Sequence, residues 1–370
     1  MVRRSYHTPT YRRPALLSLD CIESALSCTG WNRARVRFLA RFVLALLSAQ
    51  TVCLSRLAPV FSSQATVASR YKRMQRFVRG FDLDTVGLAR LLVRVANVPG
   101  PWVLSLDRTN WKLGKAELNL LMLCVVHQGV GFPLLWTVLA KDSKGRAGNS
   151  NSQERIALLT RFVQTFGVTC VLFVCADREF VSRAWLLWLQ EQGIGFRLRL
   201  RGDVLVSHKT EQVCADWLFR QCAIGRERNL GKRTVLGLSV WVTGTKLANG
   251  DFLIVAADRT SGLSDYALRW GVETLFGALK SRGFHLEDTH VTEPARLERL
   301  VGLLAVAYCW AFAAGQWLSQ TKPLTGKTHG RMPVSFVRRG LDFLRPVALQ
   351  LCATNNEEHL QQALRFLSCT

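Results

Sequence analysis

The run VTCVLFVCAD, Val168–Asp177, is apolar almost throughout and closes on an acid. It reads as a buried strand. A helical pattern precedes it, Gln153 to Phe166, and another follows, Ser182 to Gln192, before a second strand at Gly195–Arg201. Upstream, Trp102–Asp107, Glu117–His127 and Gly131–Leu139 alternate with short turns, as in an antiparallel meander. The order β-β-β-α-β-α-β is the signature of a mixed α/β sheet.

Beyond residue 201 the pattern turns β-rich, with runs at Val235–Val242 and Phe252–Ala257. A strong helix then resumes, Ser264 to about Ser281, followed by Glu293 to Ser319, a basic stretch KPLTGKTHGRMPVSFVRRG and a last helix. The β-rich part therefore reads as an insertion into the α/β unit. Before the sheet, residues 1 to about 98 carry apolar positions at helical spacing in Arg33–Ser55, 65–80 and Asp82–Val98. The sequence NVPGP, Asn97–Pro101, marks the change of texture. The expected domains are a helical domain over 1–98, an α/β core over 99–201 and 260–320, a β-rich insertion over 202–259, and a basic C-terminal region over 321–370.

Composition narrows the function. The 370 residues carry 49 Lys+Arg against 26 Asp+Glu, a net charge of +23, and 49% of them are hydrophobic. Disordered chains are apolar-poor, so that class is excluded. The surplus of one sign points to a polyanionic partner, with nucleic acid ahead of anionic membrane. About half of it lies in residues 1–98, where 16 basic residues face 4 acidic ones. That concentration suits phosphate contacts by the helical region. The 11 cysteines show no Cys-x-x-Cys pair, which argues against disulfide and zinc frameworks and for reduced thiols in a cytoplasmic protein. His127, His285 and His290 have no metal-ligand spacing. The apolar run Leu300–Gly315 is shorter than a membrane span and reads as core.

Two acids follow apolar strands, Asp107 after WVLSL and Asp177 after VLFVCA. The carboxyl ends of strands are where α/β proteins place their sites. On the helix 264–281, Tyr266, Arg269, Glu273 and Lys280 fall at about 0°, 300°, 340° and 320°, while Leu268, Val272, Leu275 and Leu279 fall on the other side. One acid thus shares a face with two cations and a phenol. Three carboxylates are hard oxygen donors of the kind that hold Mg²⁺ or Mn²⁺, and a metal pair serves phosphodiester chemistry.

These residues resemble the DDE transposases of the insertion sequence four family. The resemblance rests on LDRTNW around Asp107, on ADREF around Asp177, and on the spacing Tyr266-x₂-Arg269-x₃-Glu273-x₆-Lys280. The last matches the family's Y-R-E-K signature, and the likeness covers about residues 100–320. It implies an RNase H-like fold with a β-rich insertion between the second Asp and the Glu. It implies cut-and-paste transposition, with Asp107, Asp177 and Glu273 binding two Mg²⁺ (Mn²⁺ tolerated), and Tyr266, Arg269 and Lys280 holding DNA. The partners implied are the element's terminal inverted repeats and target DNA, with a homodimer at synapsis, no membrane, and a place in the bacterial cytoplasm at the nucleoid. A tryptophan of the insertion stacks on a flipped base in some members; Trp241 and Trp217 are the candidates here, and Arg178 is a candidate phosphate contact. Two alternatives stand: a transposase-derived DNA-binding repressor without catalysis, and a metal-dependent nuclease without strand transfer.

Overall fold

The computed structural model describes residues 33–139, 150–321 and 334–354. The basic N-terminal segment, most of the polar loop after Leu139, much of the basic stretch after Thr321 and the chain end lie outside them. The chain divides into two compact units: residues up to Asn97 together with those from Val306 onward, and Val98–Ala305.

In the first unit, α1 (Arg33–Ala49), α2 (Leu54–Val60), α3 (Val67–Gly80) and α4 (Thr85–Ala96) follow one another. The expected helix Arg33–Ser55 is broken at Gln50, whose φ of 51° is left-handed. Phe42 to Leu47 of α1 are fully buried. Thr66 and Asp84 cap α3 and α4, each side chain accepting backbone N–H groups that a helix start leaves unpaired. The later part of α9 (Pro294–Thr321), from Val306 onward, and α10 (Phe336–Thr354) also belong to this unit. Their backbones meet at Gly315 and Gly340, where an added Cβ would collide with main chain. By length and composition α9 could cross a membrane, but 83% of its most apolar window is buried. That fits the core reading.

The second unit holds one ten-stranded sheet. Its strands are β1 (Trp102–Leu113), β2 (Ala116–His127), β3 (Val130–Val138), β4 (Val171–Ala176), β5 (Phe196–Leu200), β6 (Leu205–His208), β7 (Glu211–Cys214), β8 (Arg228–Val235), β9 (Leu238–Lys246) and β10 (Phe252–Ala257). Their order is β3-β2-β1-β4-β5-β10-β9-β8-β6-β7. The meander β1–β3 is antiparallel, and β4 runs parallel to both β1 and β5. Between these strands lie α5 (Ser152–Phe166), started by a capping box of Asn151 and Glu154, and α6 (Arg183–Glu191), capped by Ser182. The result is the mixed α/β architecture expected.

Two details differ from the sequence reading. The strand Phe252–Ala257, assigned to the insertion, hydrogen-bonds to β5 and so belongs beside the core strands. The run Val235–Val242 is not one strand: Val235 ends β8, Leu238 begins β9, and a two-residue hairpin turn joins them. Leu236 and Gly237 both have positive φ, the backbone that a tight two-residue hairpin needs. The apolar residues on either side hid it.

Candidate active site

The sheet register builds the first half of the site. Leu106 of β1 pairs with Ala176 of β4 in parallel, so Asp107 and Asp177 are the next residues on neighbouring strands. Such strands lie about 4.8 Å apart. Asp177 follows the end of β4, as expected. Asp107 does not end its strand: β1 runs on to Leu113, still paired with β2. The acid is tolerated there because β1 loses β4 as a neighbour at that level.

The segment 263–279 brings the second half. It is not one regular helix but α7 (Leu263–Ala267), a tight 3₁₀ turn at Leu268–Trp270, and α8 (Gly271–Leu279). Gly271 seats α8 on the β2–β3 hairpin. A Cβ added to Gly131 would lie 2.8 Å from the Gly271 carbonyl oxygen, so backbone meets backbone. Val272, Leu275 and Leu279 are buried beneath α8, as their spacing predicts.

Arg269 ties two of the acids together. Its Nη1 donates to Asp107 Oδ2 at 2.9 Å and its Nη2 to Glu273 Oε1 at 2.7 Å. The Tyr266 hydroxyl donates to Asp177 Oδ1 at 3.2 Å, and Arg199 of β5 stands 3.8 Å from the same oxygen. The Arg269 guanidinium lies 5.9 Å from the Tyr266 ring centre. Asp107, Asp177, Glu273, Tyr266 and Arg269 thus form one connected cluster.

Burial sets its electrostatics. Desolvation pushes the Asp107 carboxyl up to about 6, against the pull of Arg269 and of the Arg108 N–H that donates to it at 2.8 Å. Burial also raises the Tyr266 phenol, so it remains a neutral donor. Burial alone would lower Arg269, but Tyr266, Asp107, Asp177 and Glu273 outweigh it and keep the guanidinium charged. Three hard oxygen donors fit a divalent cation in chemistry. In geometry Arg269 stands between two of the acids, and among the described residues no three His, Cys, Asp or Glu side chains already form a metal-holding group.

The other expected contacts lie outside the cluster. Lys280 lies just past the end of α8 and touches none of the three acids. Its Nζ donates to the Asn110 carbonyl at 2.9 Å, pairs with Glu287 at 2.8 Å and sits 5.7 Å from the Trp111 ring centre. Arg178 is exposed. Trp241 is half-buried on β9, with the Lys232 ammonium 6.0 Å from its ring centre. Trp217 is more open, at 48% exposure.

Several residues escaped the sequence reading. Arg199 is one. Arg108 and Glu179 are a pair: Arg108 Nε and Nη2 donate to the two oxygens of Glu179 at 2.6 and 2.9 Å. The fork joins the residue after Asp107 to the second residue after Asp177, and so ties the two acid-bearing segments together. The parallel D-R and D-R-E sequences were the available signal. Trp270, beside Arg269, is 62% exposed, unusual for so large an apolar ring. A second ion-pair cluster, Arg197 with Asp258 at 2.6 Å and Asp265 at 3.3 Å, braces β5 against the start of α7.

Comparison with known proteins supplies the family. The model for the transposase DDE domain matches residues 99–310, more than half of the chain. Among solved structures, the chain resembles a piggyBac transposase in a cryo-EM synaptic complex with hairpin DNA, at 11% identity and a TM-score of 0.44, over 95% of this chain and 82% of that one. No match is found among curated proteins. The family match spans the sheet and every residue of the acidic cluster, and the chain belongs to the DDE-domain transposases.

Proposed function

We propose that the protein catalyses cut-and-paste DNA transposition, cleaving at the terminal inverted repeats of an insertion sequence and joining the freed end to target DNA. The observation that carries this is the cluster itself. Two acids on adjacent parallel strands and a third on a helix are drawn together by Arg269 and Tyr266, within a transposase DDE domain.

Asp107, Asp177 and Glu273 would hold the divalent cations, Mg²⁺ or Mn²⁺. Bound there, such ions supply activation of the attacking oxygen and stabilisation of the leaving one. The chain's own residues do the rest. Tyr266 fixes the Asp177 carboxylate by donating to it. Arg269 holds Asp107 and Glu273 at one level and carries the positive charge that a phosphodiester oxygen would engage. Lys280, anchored on the Asn110 carbonyl beside Trp111, offers a second phosphate contact. The Arg108–Glu179 fork keeps the two acid-bearing segments in register. Two DNA ends must meet for transposition, so at least two copies act together.

The test is cleavage of a labelled duplex carrying the flanking inverted repeat, with Mg²⁺, by the wild type and by Glu273→Gln. Cutting at the element end that needs both the metal and Glu273 supports the proposal. Binding without cutting, equal in both proteins, favours a DNA-occupying repressor. Cutting without end preference favours a simple nuclease.

A further inference from the structure

α8 carries a glycine within its length, Gly277, where alanine would be the better helix former. Gly277 follows Glu273 by four residues. It therefore lies on the same face of α8, about 6 Å further along the axis. A Cβ added to Gly277 would collide with the guanidinium of Arg282. The space left by the missing side chain is thus filled. Arg282 folds back from beyond the helix end, lies across Gly277, and donates from Nη2 to the Glu273 carbonyl at 3.3 Å.

The turn that delivers Arg282 is fixed by main chain. The Arg282 N–H donates to the Gly277 carbonyl at 2.9 Å, the Phe284 N–H to the Ala278 carbonyl at 3.0 Å and the His285 N–H to the Lys280 carbonyl at 2.8 Å. Phe284 is fully buried, and a Cβ on Gly283 would strike the Ala278 carbonyl. The guanidinium at the far end is less committed. Arg282 is exposed, makes that single side-chain bond, and has no carboxylate partner among the described residues. The cations of the four-residue spacing differ: Arg269 is held by Asp107 and Glu273, and Lys280 by Glu287. A cation near a helix C-terminus also suits the helix dipole. A capping arginine, however, bonds the last carbonyls, which a helix leaves unpaired. Arg282 reaches instead to Glu273 in the first turn of α8, whose carbonyl the helix itself already engages.

We infer that Arg282, seated on Gly277, is a further substrate-binding residue of the active site, holding a phosphate of the cleaved DNA strand beside the bond that is cut. The inference rests on the transposase reading for its substrate. The occupant follows from chemistry. A planar guanidinium with most of its donors open matches the paired oxygens of a phosphate. Three carboxylates gathered nearby repel a polyanionic strand, and a cation that they do not consume offsets that repulsion. A seat one helical turn from Glu273 meets the strand next to the reacting phosphate and not at it, so Arg282 anchors the strand and leaves the chemistry to the acids. Gly277 is what permits this, since any side chain there displaces the guanidinium.

The experiment compares Gly277→Ala, Arg282→Gln and Arg282→Lys in the full chain, on the labelled inverted-repeat duplex. Thermal melts come first. Gly277→Ala should melt no lower than wild type, because alanine is the better helix former. It should nevertheless cut about tenfold more slowly at limiting protein, as should Arg282→Gln, the size expected for one charge-assisted bond. Arg282→Lys, which keeps the charge, should retain most of the rate. The second readout is independent of cutting: anisotropy across a salt series, with each change made in the Glu273→Gln protein so that the duplex stays whole. One lost phosphate contact lowers the slope of log affinity against log salt by about 0.9. Wild-type cleavage and an unchanged slope in Gly277→Ala and Arg282→Gln overturn the inference while Glu273-dependent cleavage stands. Full activity in Gly277→Ala beside a loss in Arg282→Gln also overturns it, because the seat on Gly277 is then not used. A wild type that binds the duplex without cutting overturns the transposase reading, and the slope still decides the Arg282 contact. A wild type that neither binds nor cuts overturns both.

Discussion

The acidic cluster and the α3 face handle positive charge in opposite ways. In the cluster, cations stand against acids: Arg269 pairs with Asp107 and Glu273, Arg199 with Asp177 and Asp251, and the neighbouring Lys280 with Glu287. On α3 four exposed cations lie on a helix with no acid at all. Charges of opposite sign held against one another fix geometry; charge of one sign gathered on a surface attracts an anion and tolerates imprecision. The first arrangement suits chemistry at one bond. The second suits holding a long, uniform polyanion.

That contrast can be broken from the catalytic side. Glu273→Gln keeps the shape of α8 but removes a charge from the cluster. Cleavage should fall by roughly a thousandfold or more, about 4 kcal/mol of barrier, with duplex affinity changed less than about threefold. A gel assay of cleavage beside anisotropy measures both. A comparable loss of binding would mean that the cluster itself holds the DNA.

Position comes next in size. Gly131→Ala puts a methyl 2.8 Å from the Gly271 carbonyl oxygen, where backbone faces backbone and neither side can yield. We expect about 1–3 kcal/mol of lost stability in chemical denaturation, with cleavage reduced because Glu273 shifts with α8. A variant as stable as wild type would show that the hairpin does not set the position of α8.

The Asp258–Arg197 pair sharpens the same point. Burial pushes the Asp258 carboxyl up, but the Phe196 N–H, Arg259 and Arg197 together hold it below the ordinary carboxylate value. Its stabilisation is therefore complete above about pH 4 and is lost as pH falls further. Asp258→Asn should cost about 1–2 kcal/mol near pH 7, less than a fully buried pair because the Asp258 side chain is 22% exposed. The cost should shrink in melts below about pH 4; a cost independent of pH would show that the charge is not what stabilises. The smallest effect is expected at Arg178, which is exposed. Arg178→Gln should change stability by less than about 0.5 kcal/mol. A large loss of cleavage without loss of stability would mark it as a DNA contact.

Much of this was legible in the chain. Apolar runs ending in Asp107 and Asp177 gave the strands, and the 3.6-residue period of Tyr266, Arg269 and Glu273 gave their shared face. Local pattern failed where tertiary pairing decides. The continuation of β1 past Asp107 depends on β2, which keeps pairing where β4 stops. The hairpin at Leu236–Gly237 depends on backbone sign, and apolar flanks concealed it. Arg199 reaches Asp177 only because β5 lies beside β4. Lys280 shared the helical face on paper, but α8 ends one residue earlier and its side chain turns to Asn110. Long-range partners such as Arg108 and Glu179 leave no periodicity to read.

The central claim is that cutting and holding reside in different residues of one transposase. The most direct measurement is single-turnover cleavage of the labelled inverted-repeat duplex, with Mg²⁺ and saturating protein, for Glu273→Gln and for the triple variant Lys72→Gln/Arg73→Gln/Arg76→Gln on α3. The account predicts that Glu273→Gln stays bound and does not cut, while the triple variant needs more protein to bind but cuts at the wild-type rate once saturated. Cleavage by Glu273→Gln at the wild-type rate would contradict it.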